Sequence, residues 1–197
     1  MNYPEYVKIG DKKYKINTDF RVAIKCNQVA EDTTIDDYER ALAIIYLLFG
    51  NNGLNDFNNY EKLMELAKKY LSCGQELKIE DIQKKDMDYI QDEGYIKSSF
   101  QYDYKYDPYE LEHVHWWKFY NDLCNLSNSE LGNCCVLNRI RNLRNLDLNE
   151  IKDAKTKEKI KKEKARFALK ENRKVTNKNF TEEELKNMEE FYKQMGL

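Results

Sequence analysis

Residues 38–49 constrain the fold more than any other stretch of this chain. Tyr38, Ala41, Leu42, Ile45 and Phe49 recur at i, i+3, i+4, i+7 and i+11, the spacing of one helical face. Ile44, Leu47 and Leu48 widen that face over most of the circumference. A helix of that kind must be covered on several sides, so it is expected at the centre of a helical core. The uninterrupted apolar part, Ala41 to Phe49, is far short of the roughly 20 residues needed to span a bilayer.

The surrounding sequence supplies its partners. Thr18 or Asp19 can cap a helix through about Val29, because a side-chain oxygen there accepts an orphan backbone N–H. Thr33-Thr34 with Asp36-Asp37 starts the central helix, and Gly50-Asn-Asn-Gly53 stops it. Tyr60, Leu63, Met64, Ala67 and Leu71 form a second stripe, ended near Gly74. Before all of these, Val7, Ile9, Tyr14 and Ile16 alternate around Gly10-Asp11, the pattern of a β-hairpin over about residues 5–16. Only two Pro and seven Gly occur, too few for the frequent turns of a sandwich or barrel.

Further along, a Tyr-rich acidic stretch predicts a helix from about Lys85 to Tyr104. Asp107-Pro108 reads as the start of another, since Asp caps and Pro at the first helical position gives up only an N–H that has no partner there. The apolar residues from Leu111 to Leu126 cover most of that helix. Ser127-Asn-Ser-Glu130 has the form of a capping box for the next, which runs through Cys135, Val136, Leu137 and Ile140. Ile151 to Leu169 reads as helical with little apolar face, residues 171–180 as a linker, and Thr181-Glu-Glu-Glu184 as the start of a last short helix carrying Leu185, Met188, Phe191 and Tyr192. The expected architecture is mainly α: a multi-helix bundle with an N-terminal hairpin in residues 1–148, and a basic, charged helical extension in residues 149–197.

Charge is distributed unevenly although the total is only −2. Residues 139–178 hold fifteen basic against six acidic side chains, and residues 76–115 hold eleven acidic against five basic. The near-neutral total gives no global field toward nucleic acid or an acidic membrane. The Lys-rich run from Lys155 to Arg166 can be a nucleic-acid patch, a docking surface for an acidic partner, or a solvated helix with i, i+4 pairs such as Glu158–Lys162. Nothing aromatic interleaves except Phe167, so stacking on bases is poorly supported.

Chemistry-bearing motifs are sparse. His113 and His115 lie two apart, which on a helix points them roughly 200° from each other, so they cannot chelate one ion; they read as polar edges of a buried helix. Trp116-Trp117 reads as core, and Cys134-Cys135 as small hydrophobes. The five cysteines show no spacing of a disulfide framework or zinc site. There is no phosphate-cradling Gly loop, G-x-S-x-G elbow or H-E-x-x-H. No catalytic, cofactor-binding or metal-ligating residue is expected, and no charged start leads into an apolar leader.

The order of landmarks carries a resemblance. Asn17-Thr-Asp-Phe-Arg21 opens the first helix, a Tyr-rich acidic helix follows, then Glu112-His-Val-His-Trp-Trp-Lys-Phe119, then Arg139-Ile-Arg-Asn-Leu-Arg144 leading to Leu146-Asp-Leu148 and a Lys-rich helix. Over roughly residues 5 to 170 this resembles a family of small proteins encoded in the tail modules of long-tailed phages of Gram-positive bacteria, near the tape measure gene. The acidic middle is more Tyr-rich than the family pattern, and residues 171–197 are an extension outside it. The resemblance implies a non-enzymatic tail assembly chaperone that binds and solubilises the tape measure protein in the host cytoplasm and is absent from the finished virion. It implies no nucleotide, metal or other cofactor and no membrane. Tail tube protein and other copies of the chain are further partners it suggests. A structural tail connector is the competing reading, and a nucleic-acid-binding helical protein the next. The residues expected to dock the partner are Arg139, Arg141, Arg144, Lys161, Lys162 and Arg166.

Overall fold

A computed structural model of the chain describes residues 3–75, 85–128 and 134–170. Among the described residues the fold is mainly α, with seven α-helices and one two-stranded antiparallel hairpin. Two compact units are present, one within residues 3–75 and the other within residues 85–170. The linker and short helix read at residues 171–180 and 181–192 fall outside the described residues.

In the first unit, β1 (Tyr6–Ile9) pairs with β2 (Lys12–Lys15), with Tyr6 opposite Lys15 and Ile9 opposite Lys12, so Gly10-Asp11 forms the turn as the alternation requires. A free hairpin of this size is marginal. This one is anchored: Tyr14 and Ile16 are buried, the Tyr14 ring meets Phe49 edge-on at 6.4 Å, and the Asn17 amide donates to the Leu48 carbonyl at 2.7 Å. α1 (Phe20–Glu31) is capped by Asp19, whose carboxylate accepts from the Arg21 amide at 2.9 Å.

α2 (Asp37–Leu54) begins with a reciprocal capping box: the Glu39 amide donates to Asp36, and the Asp36 amide donates back to Glu39. It packs against α1, against β2 and against α3 (Tyr60–Leu71), with Leu42, Ile45 and Leu48 buried. Gly50 breaks the helix with φ +61°, a backbone conformation that costs glycine little, and a further turn follows to Leu54. In that turn Gly53 lies against the preceding one, where a Cβ would sit 2.6 Å from that of Phe49. The predicted stop at Gly50 is therefore a kink. α3 ends as expected near Gly74, whose amide returns to the Lys69 carbonyl at 2.8 Å.

The second unit holds α4 (Glu93–Tyr104), α5 (Trp116–Cys124), α6 (Val136–Asn145) and α7 (Ala154–Phe167). Ile96, Phe100, Trp116, Phe119 and Leu137 form its centre, with Phe100 and Phe119 stacked at 5.3 Å. Three starts differ from the sequence reading. The helix predicted from Lys85 begins only at Glu93, because the Asp88 carboxylate takes the amides of Ile90 and Gln91 at 2.9 and 2.7 Å and holds the chain in a turn. The helix predicted from Asp107-Pro108 closes a single turn there and stops, since Leu111 and Glu112 project to solvent. α5 starts afresh after His115, whose Nδ1 accepts from the Trp117 amide at 3.1 Å, so that histidine is a cap and not a helix-edge residue. α6 is capped by the Cys135 thiol and by Ser99 Oγ, which accept from the amides of Asn138 and Leu137 at 3.5 and 3.1 Å. Ser127 instead donates its hydroxyl and its amide to Asp103; Ser129 and Glu130 of the expected capping box lie outside the described residues. Trp116 is core as read, Trp117 is half-buried, and Cys135 is buried.

One ion pair ties α4, α6 and α7 together. The Arg144 guanidinium forks onto the Asp92 carboxylate at 2.7 and 2.8 Å, and it also donates to the Asp86 carbonyl and the Phe167 carbonyl, each at 2.7 Å. Asp92 is 1% exposed and the Arg144 side chain 10%. Removing one partner leaves the other charge buried alone, which costs roughly 3–5 kcal/mol. Arg144→Met is expected to destabilise the protein by about that much in denaturant unfolding, whereas Arg139→Ala, at an exposed position on the same helix, is expected to stay within about 0.5 kcal/mol.

Candidate protein-docking groove

α2 carries more apolar surface than α1 and α3 cover. Along the first two turns of α2 and most of α3 the helices part into an open groove of about 470 Å³. Tyr38, Ala41, Leu42 and Ile45, the i, i+3, i+4, i+7 stripe of the sequence, line it from α2. Tyr60 and Met64 face them from α3, and Glu61, Glu65 and Lys68 form the polar rim on that side. Each wall repeats with the helical period over about two turns, roughly 10 Å of helix. Leu42 and Ile45 are its buried floor, while Tyr38 stands 44% exposed at the edge.

The segment between α2 and α3 packs at one side of the groove. Leu42 and Leu54 pack together with Tyr46 and Tyr60 around them. The Tyr60 hydroxyl donates to the Leu54 carbonyl, and Phe57 lies 5.5 Å from the Tyr60 ring. Burial pushes the Tyr60 phenol up to about 12, with Tyr38 and Asp56 adding to the shift, so it remains a neutral donor across the physiological range.

Next to that segment sits a polar cluster. Asp56 accepts from Lys12 Nζ at 2.7 Å, from the Tyr14 hydroxyl, and from Asn59 Nδ2 at 3.1 Å. The Lys12, Tyr14 and Asn59 hydrogen bonds hold its carboxyl down at about 2. Burial and the hydrogen bond to Asp56 raise the Tyr14 phenol. The cluster joins the hairpin to the α2–α3 loop across more than forty residues of sequence. No local signal announces it, which is why the sequence reading does not contain it. Among the described residues, no group of three or more His, Cys, Asp or Glu is arranged to hold a metal ion, and no helix is long and apolar enough to cross a membrane.

The six residues expected to dock a partner are divided by the structure. Arg144 is enclosed, as described above. Arg141 lies beside it and donates to Asp86 Oδ1 at 3.1 Å and to Asn138 Oδ1 at 3.3 Å. Arg139 is exposed on α6. Lys161, Lys162 and Arg166 are exposed on α7, where Lys162 approaches Glu158 at 3.9 Å as the i, i+4 spacing suggests, and Arg166 lies 5.4 Å from the Phe167 ring. The groove residues were legible as stripes but read as core. Only the tyrosines at the ends of the stripes, Tyr38 and Tyr60, hinted that part of the face meets water.

The sequence model of a family described as Bacteriophage Gp15 protein matches residues 2–169. No curated protein and no solved structure matches the chain.

The Asp56 cluster sets a pH dependence. A carboxyl whose folded pKa lies below its unfolded value near 3.9 contributes stability that is complete above that value and is lost as pH falls toward the folded value. Amide protection in residues 6–15 is expected to hold at pH 5 and to fade between about pH 4 and pH 2. In Asp56→Asn the protection is expected to be reduced already at pH 7 and to change little across that window. Hydrogen exchange read by mass spectrometry checks both.

Proposed function

Since this chain belongs to the bacteriophage Gp15 family, with the match covering most of its length, we propose that it is a tail assembly chaperone whose α2–α3 groove takes an amphipathic helix of the tape measure protein. The open groove is the observation that carries this reading. Its walls are apolar, its length suits two turns of helix, and its rim is polar, which is the arrangement of helix-in-groove recognition. A tape measure protein presents long helical stretches whose apolar faces would otherwise associate with one another. Covering such faces requires no acid, base or metal. The exposed cations of α7, with Arg139, offer a second contact for acidic side chains on the same partner and would act mainly on encounter rate and register.

On this reading the protein acts in the host cytoplasm and leaves before the virion is complete. The contact is short, so one copy contributes modest affinity and many copies along one tape measure protein supply the protection. Tail tube subunits are the natural replacements as the tail grows.

The test is co-expression with the tape measure protein. Wild type is expected to raise its soluble yield and to co-purify with it. Met64→Glu sets a carboxylate on the apolar wall and is expected to weaken binding at least tenfold, about 1.4 kcal/mol, with circular dichroism and melting close to wild type because Met64 is only partly buried. An unchanged soluble yield with wild type rejects the chaperone reading. Copies of this chain found in purified mature tails would favour a structural connector instead.

A further inference from the structure

α7 packs on α6 with one side. Ile160, Lys164 and Phe167 are half-buried there, and Lys164 donates to the Leu146 carbonyl at the end of α6. The opposite side is a row of cations. Lys155, Lys159, Lys162 and Arg166 are all exposed, and their 4-3-4 spacing keeps them within about 60° of arc along about 16 Å of helix. Lys161 belongs to the same basic run but falls about 120° round the helix from Lys155, outside the row. Glu158 borders the row on one flank and Glu163 on the other. Glu158 approaches Lys162 at 3.9 Å, yet the Lys162 side chain stays 76% exposed. Lys155 with Lys159 and Lys162 with Arg166 are like charges at i, i+4, and Lys159 with Lys162 at i, i+3, all of which oppose helix formation. An opposite charge laid along the row turns that repulsion into attraction.

The pattern indicates what carries the opposite charge. A side chain every 3.5 residues on average marks the seam along which two helices lie side by side. The 4-3-4 order reads the same in both directions, so a partner helix of either polarity matches it. Glu158 and Glu163 on the flanks repel a phosphate backbone, and the row holds no Asn, Gln or aromatic side chain to read bases or stack on them. The same two flanks suit a helix whose acidic row is bordered by Lys or Arg. We propose that the outer face of α7 docks an acidic helix with Asp or Glu in that 4-3-4 spacing. This deepens the second contact of the reading above and rests on it only for placing the helix in the tape measure protein; the recognition itself uses no residue of the α2–α3 groove. Each charge pair is exposed and weak alone, so register comes from four in line and affinity falls as salt rises.

The experiment uses the full chain and two Ala-rich peptides of about 20 residues, long enough to be helical alone. One carries Glu in the 4-3-4 spacing bordered by Lys; the other has the same composition with the Glu residues spread around the helix. Fluorescence anisotropy at low salt is expected to show the patterned peptide binding at least fivefold more tightly. Equal affinity, or no binding, overturns the proposal. Lys155→Gln, Lys159→Gln, Lys162→Gln and Arg166→Gln together are expected to abolish the preference. Lys8→Gln, Lys15→Gln, Lys62→Gln and Lys69→Gln together, exposed lysines of the first unit with the same loss of charge, are expected to keep it. A preference that survives the first variant or disappears in the second overturns the proposal, as does duplex DNA that binds wild type more tightly than the patterned peptide and not the first variant. Met64→Glu is expected to leave the preference unchanged; its loss there would place the peptide in the groove instead. If the preference holds and wild type does not raise the soluble yield of the tape measure protein, the acidic-helix site stands and the chaperone reading fails. If the yield rises and the preference is absent, the reverse holds.

Discussion

Everything in the first unit answers to the excess apolar surface of α2. A helix that is apolar around most of its circumference is unstable in water by itself and must be wrapped. α1 covers one side, α3 another, and the hairpin closes over Phe49 and Leu48 with the Tyr14 ring and the Asn17 amide. Asp56 then pins the hairpin to the α2–α3 loop, with Lys12 and Tyr14 reaching the same carboxylate. The covering is complete over the second half of α2 and incomplete over its first two turns, where the groove opens. The groove is thus the remainder left when three elements wrap a helix that needs four.

The second unit is organised by charge as well as by its aromatic centre. The acidic excess before residue 115 and the basic excess after residue 139 are partly two halves of one set of contacts: Asp92 with Arg144, and Asp86 with Arg141 and Asn145. What is left over is the basic surface of α7, whose apolar residues are few because one side of it suffices to rest on α6, with Phe167 reaching the Tyr95 ring at 6.3 Å. A charge asymmetry along a sequence therefore overstates the field that a folded surface shows.

Local signals were legible and long-range ones were not. Asp19, Asp36 and Gly74 act within a few residues of themselves, and the helix ends they mark appear where the spacing places them. The alternation around Gly10-Asp11 gives the hairpin register directly. His115 and Cys135 are weak capping types by composition, so their local caps carry no strong signal, and Ser99 caps an amide thirty-eight residues away only because packing brings Leu137 to it. Arg144 looks like any other arginine of a basic stretch; its enclosure depends on Asp92, fifty-two residues earlier. The groove was half legible. Periodicity located both of its walls, but periodicity reports only that a face is apolar, and whether a neighbour from elsewhere in the chain covers that face is a property of the tertiary structure.

That last distinction bears on what a protein of this family can do. A fully closed helical core would leave only polar surface, and contacts with a long helical partner would rest on screened charge pairs of the kind seen at Lys162 and Glu158. An open two-turn slot adds apolar contact without committing the molecule to tight binding, because a site of that length orders few side chains and excludes little water. If the proposed function holds, affinity along a repetitive partner would come from the number of copies bound, and release could proceed one copy at a time. On the proposed chaperone reading, a shallow site repeated many times suits a removable coat better than a deep one used once.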